Sequence, residues 1–407
     1  MNTPPHAPLL FPVHRGEIQL GGVSIRQLAE RLNTPFYAYD AQLSRTRVAE
    51  LRAALPPTVQ LHYAIKANPF PPLLRHVASL VDGCDIASSG ELDKALAAGF
   101  QPSSISFAGP AKRDEELGAA LRARITLNVE SLGELERLER LGQTYGIRPH
   151  VALRINPDFE LKGAGMRMGG GAKPFGIDAE QAPTILNKIK QMEIEFQGLH
   201  IFSGSQSLNA EAIMQAHSAT LALAENLLSS SGLHARHINI GGGLGIPYFP
   251  GEQRLNLTPI GAHLHDLLQH HAAWLGQTRV IMELGRYLVG EAGVYVTRIV
   301  ERKTSRGETF LLCDGGMHQH LALSGNLGQV IRKNYPVYIA AQADAPATEL
   351  VNIHGPLCTP LDVLGHKIAL PPAEVGDLLV VTQSGAYGLS ASPVHFLSHP
   401  PAMEILV

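Results

Sequence analysis

The feature that most constrains this 407-residue chain is a repeated alternation of short apolar segments with helix-period segments between residues 60 and 290. The apolar segments lie at 61–66, 84–88, 105–109, 125–130, 150–156, 196–202, 237–242 and 280–285. Short buried strands that alternate with helices are typical of a parallel sheet. Eight such strands favour closure into a (β/α)8 barrel, with an open, doubly wound sheet as the alternative.

The pattern changes after residue 286, where strand-like segments follow one another. Segments 293–303 and 309–314 flank a polar turn at Ser305-Arg306-Gly307, which indicates a hairpin. Further strand-like segments lie at 335–340, 347–353 and 378–383, and two more, 16–22 and 36–40, precede the barrel. We predict an α/β protein with a TIM barrel at 41–286 and a mainly antiparallel β domain at 287–407, which strands from residues 1–40 join.

Composition narrows the class of protein. The 33 Lys and Arg residues against 36 Asp and Glu residues give a formal net charge of −3, which argues against nucleic-acid binding because that function needs a basic surface. Apolar residues make up 45% of the chain, enough for a large core. No apolar run has the roughly 18 residues of a membrane helix, and the N-terminal segment lacks the features of a secretory signal. We therefore expect a cytoplasmic globular protein without a membrane partner.

Cysteines and histidines do not indicate a metal. Cys84, Cys313 and Cys358 are too few and too scattered for a disulfide framework or a zinc site. Four histidines cluster on a predicted outer helix without acidic or cysteine partners at metal-binding spacing. They are His263, His265, His270 and His271.

In such barrels the chemistry lies at the carboxyl ends of the strands. The first predicted strand ends in Lys66, whose neighbours Ala64, Ile65 and Ala67 are apolar. Desolvation lowers the pKa of an amine and makes it a nucleophile that can form a Schiff base. The alternative is a lysine that reaches from a strand end to solvent.

The seventh predicted strand ends in Gly241-Gly242-Gly243 and the eighth in Glu283-Leu284-Gly285-Arg286. Backbone N–H groups of glycine turns can cradle a phosphate, and phosphate sites in these barrels follow strands seven and eight. The alternative for the glycine run is a tight turn with no ligand. A buried lysine, a phosphate cradle and a carboxylate together indicate pyridoxal phosphate (PLP), because the carboxylate keeps the pyridine nitrogen protonated.

Two further candidates have structural alternatives. His200 lies near the end of the sixth predicted strand, just before Ser203-Gly204-Ser205. It is either a functional residue at the barrel mouth or a core histidine. Cys358 lies in the turn 355–358 of the β domain, where it is either a reactive thiol or an inert small apolar residue.

The segments HYAIKAN, CDIASSGEL, GLHIFSGS, GPLCTPLD and SGAYG resemble those of the barrel-type (fold type III) PLP-dependent decarboxylases, which include diaminopimelate, ornithine and arginine decarboxylases. The resemblance implies Lys66 as the Schiff-base residue, His200 stacked on the pyridine ring and Glu283 on the ring nitrogen. It also implies a homodimer with shared active sites, in which Cys358 of the neighbouring subunit protonates Cα. The other cofactor contacts that it implies are Asp85, Glu91, Ser203, Gly241, Gly242, Gly243, Gly285, Arg286 and Tyr387. Ser88 and Glu91 also have the spacing of a capping box.

Three positions depart from the family pattern. Thr359 follows the cysteine where diaminopimelate and ornithine decarboxylases have Glu or Asp to hold the distal amine of the substrate. Ala322 lies where diaminopimelate decarboxylases tend to have an arginine for the distal carboxylate. Leu284 replaces a proline, which we attribute to packing. The first two departures disfavour free diaminopimelate, lysine and ornithine, and they make Thr359 the candidate substrate-binding residue.

Segments 283–293 and 314–337 are most similar to a subgroup that includes exosortase-associated decarboxylases and one that acts on an amino acid carried by an acyl carrier protein. A glycine-rich loop after the fifth strand contains Lys162, Arg167 and Lys173. We hypothesise that this loop meets an anionic partner, such as an acidic carrier protein. A solvated loop without a partner is the alternative.

The sequence thus predicts a PLP-dependent α-decarboxylase of an amino acid or an amino-acid-derived substrate, free or carrier-bound, that releases CO2 and an amine. One alternative is a diaminopimelate decarboxylase of lysine biosynthesis. A second is an amino-acid racemase on a related fold, which would need a base on each face of Cα. A third, a regulatory homologue, is disfavoured by the presence of Lys66, Glu283, Arg286 and Cys358.

Overall fold

The computed structural model describes residues 6–161, 163, 165–327, 329 and 332–407. The chain divides into two compact units. The barrel unit contains residues 47–246 and 255–287, and the β unit contains residues 6–46, 247–254 and 288–407. The domain boundaries at residues 40 and 286 stay a prediction. Every helix within the described ranges is too short or too polar to cross a bilayer.

The barrel unit is built on eight parallel strands. Each strand pairs with the next, and the eighth pairs with the first, which closes the sheet into a barrel. The strands are Val59–Ala64, Gly83–Ile86, Ile105–Phe107, Thr126–Val129, His150–Asn156, Glu195–Ile201, His237–Asn239 and Arg279–Leu284. A two-residue strand, Ile177–Asp178, extends the pairing of the fifth. The predicted (β/α)8 barrel is confirmed, and the open sheet is wrong.

All the barrel strands except the fifth end one to three residues earlier than the sequence predicts, and two of these differences bear on the site. The first ends at Ala64, so Lys66 lies on a single 3₁₀ turn, Ile65–Ala67, and not on the strand. The seventh ends at Asn239, so the glycine run follows the strand. Ile65 and Ile240 are buried like the strand residues before them. Apolar character therefore continues past the strand, and periodicity alone does not mark its end.

Helices follow the barrel strands as the pattern predicts. They are Pro71–Ala78, Ser89–Ala97, Asp114–Ala123, Leu132–Tyr145, Ala182–Ile189, Ala210–Ser231, Leu257–His270 and Ala272–Leu275, with a 3₁₀ turn at Pro102–Ser104. The chain passes between the units within helices Ala41–Ala54 and Arg286–Val289. The predicted capping box is half right. The Ser88 hydroxyl accepts the N–H of Glu91 at 3.1 Å, but the Glu91 carboxylate accepts the N–H of Ala87, at 2.7 Å.

The β unit contains a mixed sheet in which antiparallel pairs predominate. Its strands are Phe36–Tyr39, Gly293–Ser305, Glu308–Cys313, Val337–Ile339, Glu349–His354, Val363–Leu370, Leu378–Val381 and Met403–Leu406. The strand Phe36–Tyr39 is antiparallel to residues 293–296 and parallel to Met403–Leu406. A second parallel pair joins Glu308–Cys313 to Glu349–His354. The predicted β domain, built from both parts of the chain, is confirmed.

Local chemistry explains the rest of the β unit. Arg306 and Gly307 both have a left-handed φ, 50° and 84°, which is the conformation of a type I′ hairpin turn and confirms the predicted hairpin. The small elements are strands Val13–His14, Glu17–Leu20 and Val23–Ser24, helix Ile25–Leu32, and 3₁₀ turns at Gly290–Ala292, Leu389–Ala391 and Phe396–Ser398. Phe36, Ala38, Val294 and Val296 pack in the apolar core of this unit.

Candidate active site

An amine and a carboxylate face each other at the carboxyl end of the barrel. The Nζ of Lys66 lies 4.0 Å from Oε1 of Glu283. Strands one and eight are paired here, with Tyr63 opposite Leu284, so the 3₁₀ turn places Lys66 beside Glu283. The Lys66 side chain is 47% exposed, and its Nζ lies 5.7 Å from the centre of the Phe202 ring. For the chain alone the desolvated amine is therefore wrong, and the alternative, a lysine that reaches solvent, fits the exposure.

Glu283 is a buried carboxylate that His200 holds in place. Its Oε2 lies 3.0 Å from Nε2 of His200, which is also buried. Burial by itself raises the pKa of Glu283, but the hydrogen bond from His200 and the charge of Lys66 outweigh burial and lower the pKa to about 2. Glu283 is therefore ionised at neutral pH. The second ring nitrogen of His200, Nδ1, is buried without a hydrogen-bond partner in the described structure.

Sequence analysis missed a buried ion pair next to this site. Arg154, on the fifth strand, is in register with His200 on the sixth. Its Nη1 lies 2.8 Å from Oε1 of Glu130, and its charge also lowers the pKa of Glu283. The signal in the sequence was a charged residue inside the apolar segment HVALRIN, because a buried charge requires a partner.

A second buried ion pair extends the first. The Nζ of Lys112 lies 2.6 Å from Oε1 of Glu134, whose other oxygen accepts the backbone N–H of Glu130 at 3.0 Å. Burial alone would raise the pKa of Glu130, but the charges of Arg154 and Lys112 lower it overall. The two ion pairs thus join the loop after strand three, which contains Lys112, to Glu130 and Glu134 after strand four and to Arg154 on strand five.

Asp85 lies on the second barrel strand, beside Ala64 in the main-chain register. Its Oδ1 accepts a hydrogen bond from the hydroxyl of Ser106, and its Oδ2 lies 3.5 Å from Nδ1 of His62. These contacts join Asp85 to the neighbouring strands on both sides. Burial raises the pKa of Glu91. The cofactor contacts of Asp85 and Glu91 stay predictions.

The glycine run lies directly beside the eighth strand. A Cβ at Gly242 would lie 2.1 Å from the carbonyl oxygen of Glu283, so no larger residue fits there. Gly243 has a φ of +79°, a conformation that favours glycine. The N–H of Glu283 donates to the carbonyl of Gly241 at 2.8 Å. The run and the segment 283–286 are thus adjacent, as a phosphate site after strands seven and eight requires.

The loop after the sixth strand reaches the glycine run. Gly204–Ser205 pairs with Met166–Arg167, and the N–H of Ser207 donates to the carbonyl of Gly243 at 2.9 Å. Ser203, one residue before this pairing, is therefore held near the run by main-chain hydrogen bonds. Of the cations in the glycine-rich loop, Lys162 and the side chain of Arg167 lie outside the described residues, and Lys173 is half-buried.

In the β unit, Cys358 is an exposed free cysteine on a turn that a buried carboxylate organises. Asp362 accepts the backbone N–H of Met317 at 2.6 Å and that of Leu357 at 2.8 Å. Asp362 therefore joins the turn that contains Cys358 to the segment after Asp314. Sequence analysis missed this residue. The signal was an acidic residue four positions after the cysteine in GPLCTPLD.

Two other predicted residues of the β unit have local constraints. The hydroxyl of Thr359 accepts the N–H of Leu361 at 3.3 Å and so closes the same turn. Tyr387 is half-buried with a φ of 54°, an unfavourable conformation for a bulky residue that is often found at functional sites. The approach of Cys358, Thr359 and Tyr387 to Lys66 stays a prediction.

No group of three or more His, Cys, Asp or Glu side chains among the described residues is arranged to hold a metal ion. Three of the four clustered histidines have other hydrogen-bond partners. The pairs are His263 with Ser218 at 2.9 Å, His265 with Gln269 at 2.8 Å and His271 with Glu225 at 2.7 Å.

Comparison with known proteins decides the family. The model of the pyridoxal binding domain of pyridoxal-dependent decarboxylases matches residues 42–290. The chain belongs to the pyridoxal-dependent decarboxylases.

An L-glutamyl-[BtrI acyl-carrier protein] decarboxylase of Niallia circulans is 39% identical over 96% of this chain and 92% of its own length. The diaminopimelate decarboxylase of Aquifex aeolicus is 32% identical over 96% and 91%. The crystal structure of the Helicobacter pylori diaminopimelate decarboxylase with L-lysine is 28% identical, covers 94% of this chain and 93% of its own, and has a TM-score of 0.83.

The predicted family, the PLP cofactor and the decarboxylase class are confirmed by these relatives. The barrel unit of this decarboxylase fits PLP on its own geometry. Lys66 offers an amine for the aldehyde, and Glu283, 4.0 Å away, offers an ionised carboxylate for the pyridine nitrogen. The glycine run adjacent to the strand of Glu283 offers a turn for the phosphate.

Proposed function

We propose that the substrate of this decarboxylase is a glutamyl or similar aminoacyl group that is tethered to an acyl carrier protein. Such a group has no charged distal amine. The main support is Thr359, a neutral residue where relatives that bind a distal amine have an acid. Its hydroxyl is engaged within its own turn, and Ala322 offers no charge for a distal carboxylate. We place the thioester on the distal carboxyl group, which then has no charge and needs no counter-charge in the site, while the α-carboxylate stays free to leave as CO2. The relative with a carrier-bound substrate is 39% identical, against 32% for the diaminopimelate decarboxylase named above.

Each residue of the proposed site has a defined role. When bound, PLP supplies the electron sink for the electron pair left at Cα when CO2 departs. Lys66 would hold the aldehyde carbon of PLP, and Glu283 would keep the pyridine nitrogen protonated. His200 orients Glu283 through the hydrogen bond at 3.0 Å and would contact the pyridine ring. Cys358 donates its thiol proton to Cα.

The phosphate is held by residues from three consecutive barrel loops and by one tyrosine. They are Ser203, Gly241, Gly242, Gly243, Gly285, Arg286 and Tyr387. The first six follow strands six, seven and eight, and main-chain hydrogen bonds keep the loops together. The unfavourable φ of Tyr387 supports a functional role for that residue. Asp85 and Glu91 complete the cofactor contacts.

We also propose that the enzyme is a cytoplasmic homodimer in which each active site receives Cys358 from the partner subunit. The support is the exposed thiol on a turn that Asp362 fixes. A rigid turn with an exposed reactive group can enter a neighbouring subunit without reorganisation. The rigidity comes from two backbone N–H groups that donate to one carboxylate.

A decarboxylation screen tests the substrate. CO2 release is measured from free glutamate, ornithine, lysine and diaminopimelate, and from glutamyl-loaded acyl carrier protein, with Lys66→Ala as the inactive control. We expect the loaded carrier to be turned over with the highest kcat/KM. The Thr359→Glu variant should improve turnover of a free diamino acid relative to the wild type. A wild-type preference for free diaminopimelate would show that the enzyme is a diaminopimelate decarboxylase instead.

A further inference from the structure

His217 is a buried histidine whose two ring nitrogens both lack a hydrogen-bond partner in the described structure. It lies about two turns into the helix Ala210–Ser231 and is 2% exposed. Buried polar side chains nearly always have a partner in the protein, in an ordered water or in a ligand. His217 therefore indicates that a small polar group belongs next to it.

The space for that group is a small cavity between this helix and the phosphate loops. His217 borders it together with Ser203, Gly204, Gly242 and Gly243. The other lining residues are apolar, and they are Leu161, Ile213, Ala216 and Ile240. The cavity has room for about one water-sized group. Three of the lining residues, Ser203, Gly242 and Gly243, belong to the phosphate site proposed above.

A neighbouring histidine, His263, already has a hydrogen-bond partner of its own. That partner is Ser218, at 2.9 Å. Burial, with a smaller effect from His263, lowers the pKa of His217 to about 4, so the imidazole is neutral at pH 7. A neutral imidazole has one N–H donor and one acceptor, and the donor suits an anionic oxygen.

We propose that His217 is a further binding residue for the cofactor phosphate, to which it donates a hydrogen bond directly or through one water in this cavity. The inference rests on the proposed function, because it takes Ser203, Gly242 and Gly243 as the phosphate site. It adds a ligand from the interior of the helix Ala210–Ser231 to residues that lie just after the ends of barrel strands and to Tyr387.

The test compares PLP with pyridoxal, which lacks the phosphate. Dissociation constants of both are measured on cofactor-free wild type, His217→Phe and His217→Gln from the absorbance of the lysine-bound cofactor. We expect His217→Phe to weaken PLP binding about tenfold, the effect of one hydrogen bond to a charged group, and to leave pyridoxal binding unchanged. Glutamine keeps a donor and should restore most of the PLP affinity. Equal weakening of both ligands, or no change in either, would overturn the proposal.

Two controls separate the possible failures. His263→Phe removes a histidine that already has a partner and should leave both dissociation constants unchanged. The phosphorus NMR resonance of bound PLP should shift in His217→Gln, which provides a readout if His217→Phe does not fold. An unchanged resonance would count against the proposal. Failure of the wild type to bind PLP would contradict the proposed function, whereas equal PLP affinity of the wild type and His217→Phe contradicts only the role of His217.

Discussion

The Nε2 of His200 lies 3.0 Å from one oxygen of Glu283, while the other oxygen lies 4.0 Å from the Nζ of Lys66. His200 and Glu283 are 83 residues apart in the chain and come from the sixth and eighth barrel strands. The charge of Glu283 is thus set by the protein before a cofactor binds. In the site proposed above, a preorganised charge of this kind would stabilise the protonated pyridine nitrogen without a reorganisation cost during the reaction.

Replacement of Glu283 by glutamine should lower kcat by roughly 10²- to 10³-fold, the range for loss of one preorganised electrostatic contact. The amide keeps the volume of the side chain but has no negative charge for the ring nitrogen. PLP should still bind through Lys66. Steady-state CO2 release and the cofactor absorbance measure both effects, and a kcat near that of the wild type would contradict the role of Glu283.

The same substitution should have an effect on stability that depends on pH. The pKa of Glu283 in the folded chain is lowered to about 2 from an ordinary value of 4.5, so the unfolded chain binds more protons between these values. The stabilising contribution is therefore fully present above pH 4.5 and is lost as the pH falls toward 2. Each unit of difference corresponds to about 1.4 kcal/mol. Urea unfolding of wild type and Glu283→Gln at pH 7 and at pH 3.5 should show a smaller difference in unfolding free energy at pH 3.5.

Lys66→Ala should abolish the absorbance of the lysine-bound cofactor and lower decarboxylation by about 10³-fold or more. The side chain is 47% exposed, so the free energy of unfolding of the cofactor-free protein should change by only about 0.5 kcal/mol. Lys94→Ala is the matched control, because Lys94 is an exposed lysine on a barrel helix. An intact absorbance band in Lys66→Ala would contradict the Schiff-base assignment.

Cys358→Ala should keep the cofactor absorbance but impair protonation of Cα, which is measured by the identity of the product formed in deuterated water. Mixing Cys358→Ala with inactive Lys66→Ala should restore part of the normal product formation, since one site of a mixed dimer then has both residues. A thiol reagent should modify Cys358 before Cys84 and Cys313, which are buried and whose pKa values burial raises. No restoration on mixing would contradict the shared site.

Glu130→Gln should destabilise the barrel by about 3–5 kcal/mol, because it leaves the buried charge of Arg154 without its partner. The double variant Glu130→Gln, Arg154→Met removes both charges and should recover part of this loss. Thermal or urea unfolding of the two single variants and the double variant measures the coupling. Additive losses in the double variant would show that the two charges do not depend on each other.

The sequence predicted those parts of the molecule that depend on local patterns. The strand and helix periods, with a count of eight strands, predicted the closed barrel. The same count placed the glycine run after the seventh strand and beside the eighth, where it lies. Lys66 lies half-exposed on a 3₁₀ turn after the strand, which fits the alternative of a lysine that reaches solvent and not the buried amine. The apolar neighbours that favoured burial continue past the end of the strand. Arg154 and Asp362 were missed, since their contacts are with partners from distant parts of the chain.

The pairing of Phe36–Tyr39 has a consequence for how the chain assembles during translation. This strand emerges early from the ribosome, but its partners are residues 293–296 and 403–406. All four of its side chains are buried in the folded protein, so the nascent chain exposes them while the whole barrel is made. The barrel strands pair with the next barrel strand in the chain, and the closing pair of strands eight and one needs only residues up to 284, so the barrel can close before residue 403 is made. The β unit is then completed last, and a chain that stops before residue 403 leaves this apolar strand with one open edge and prone to aggregation.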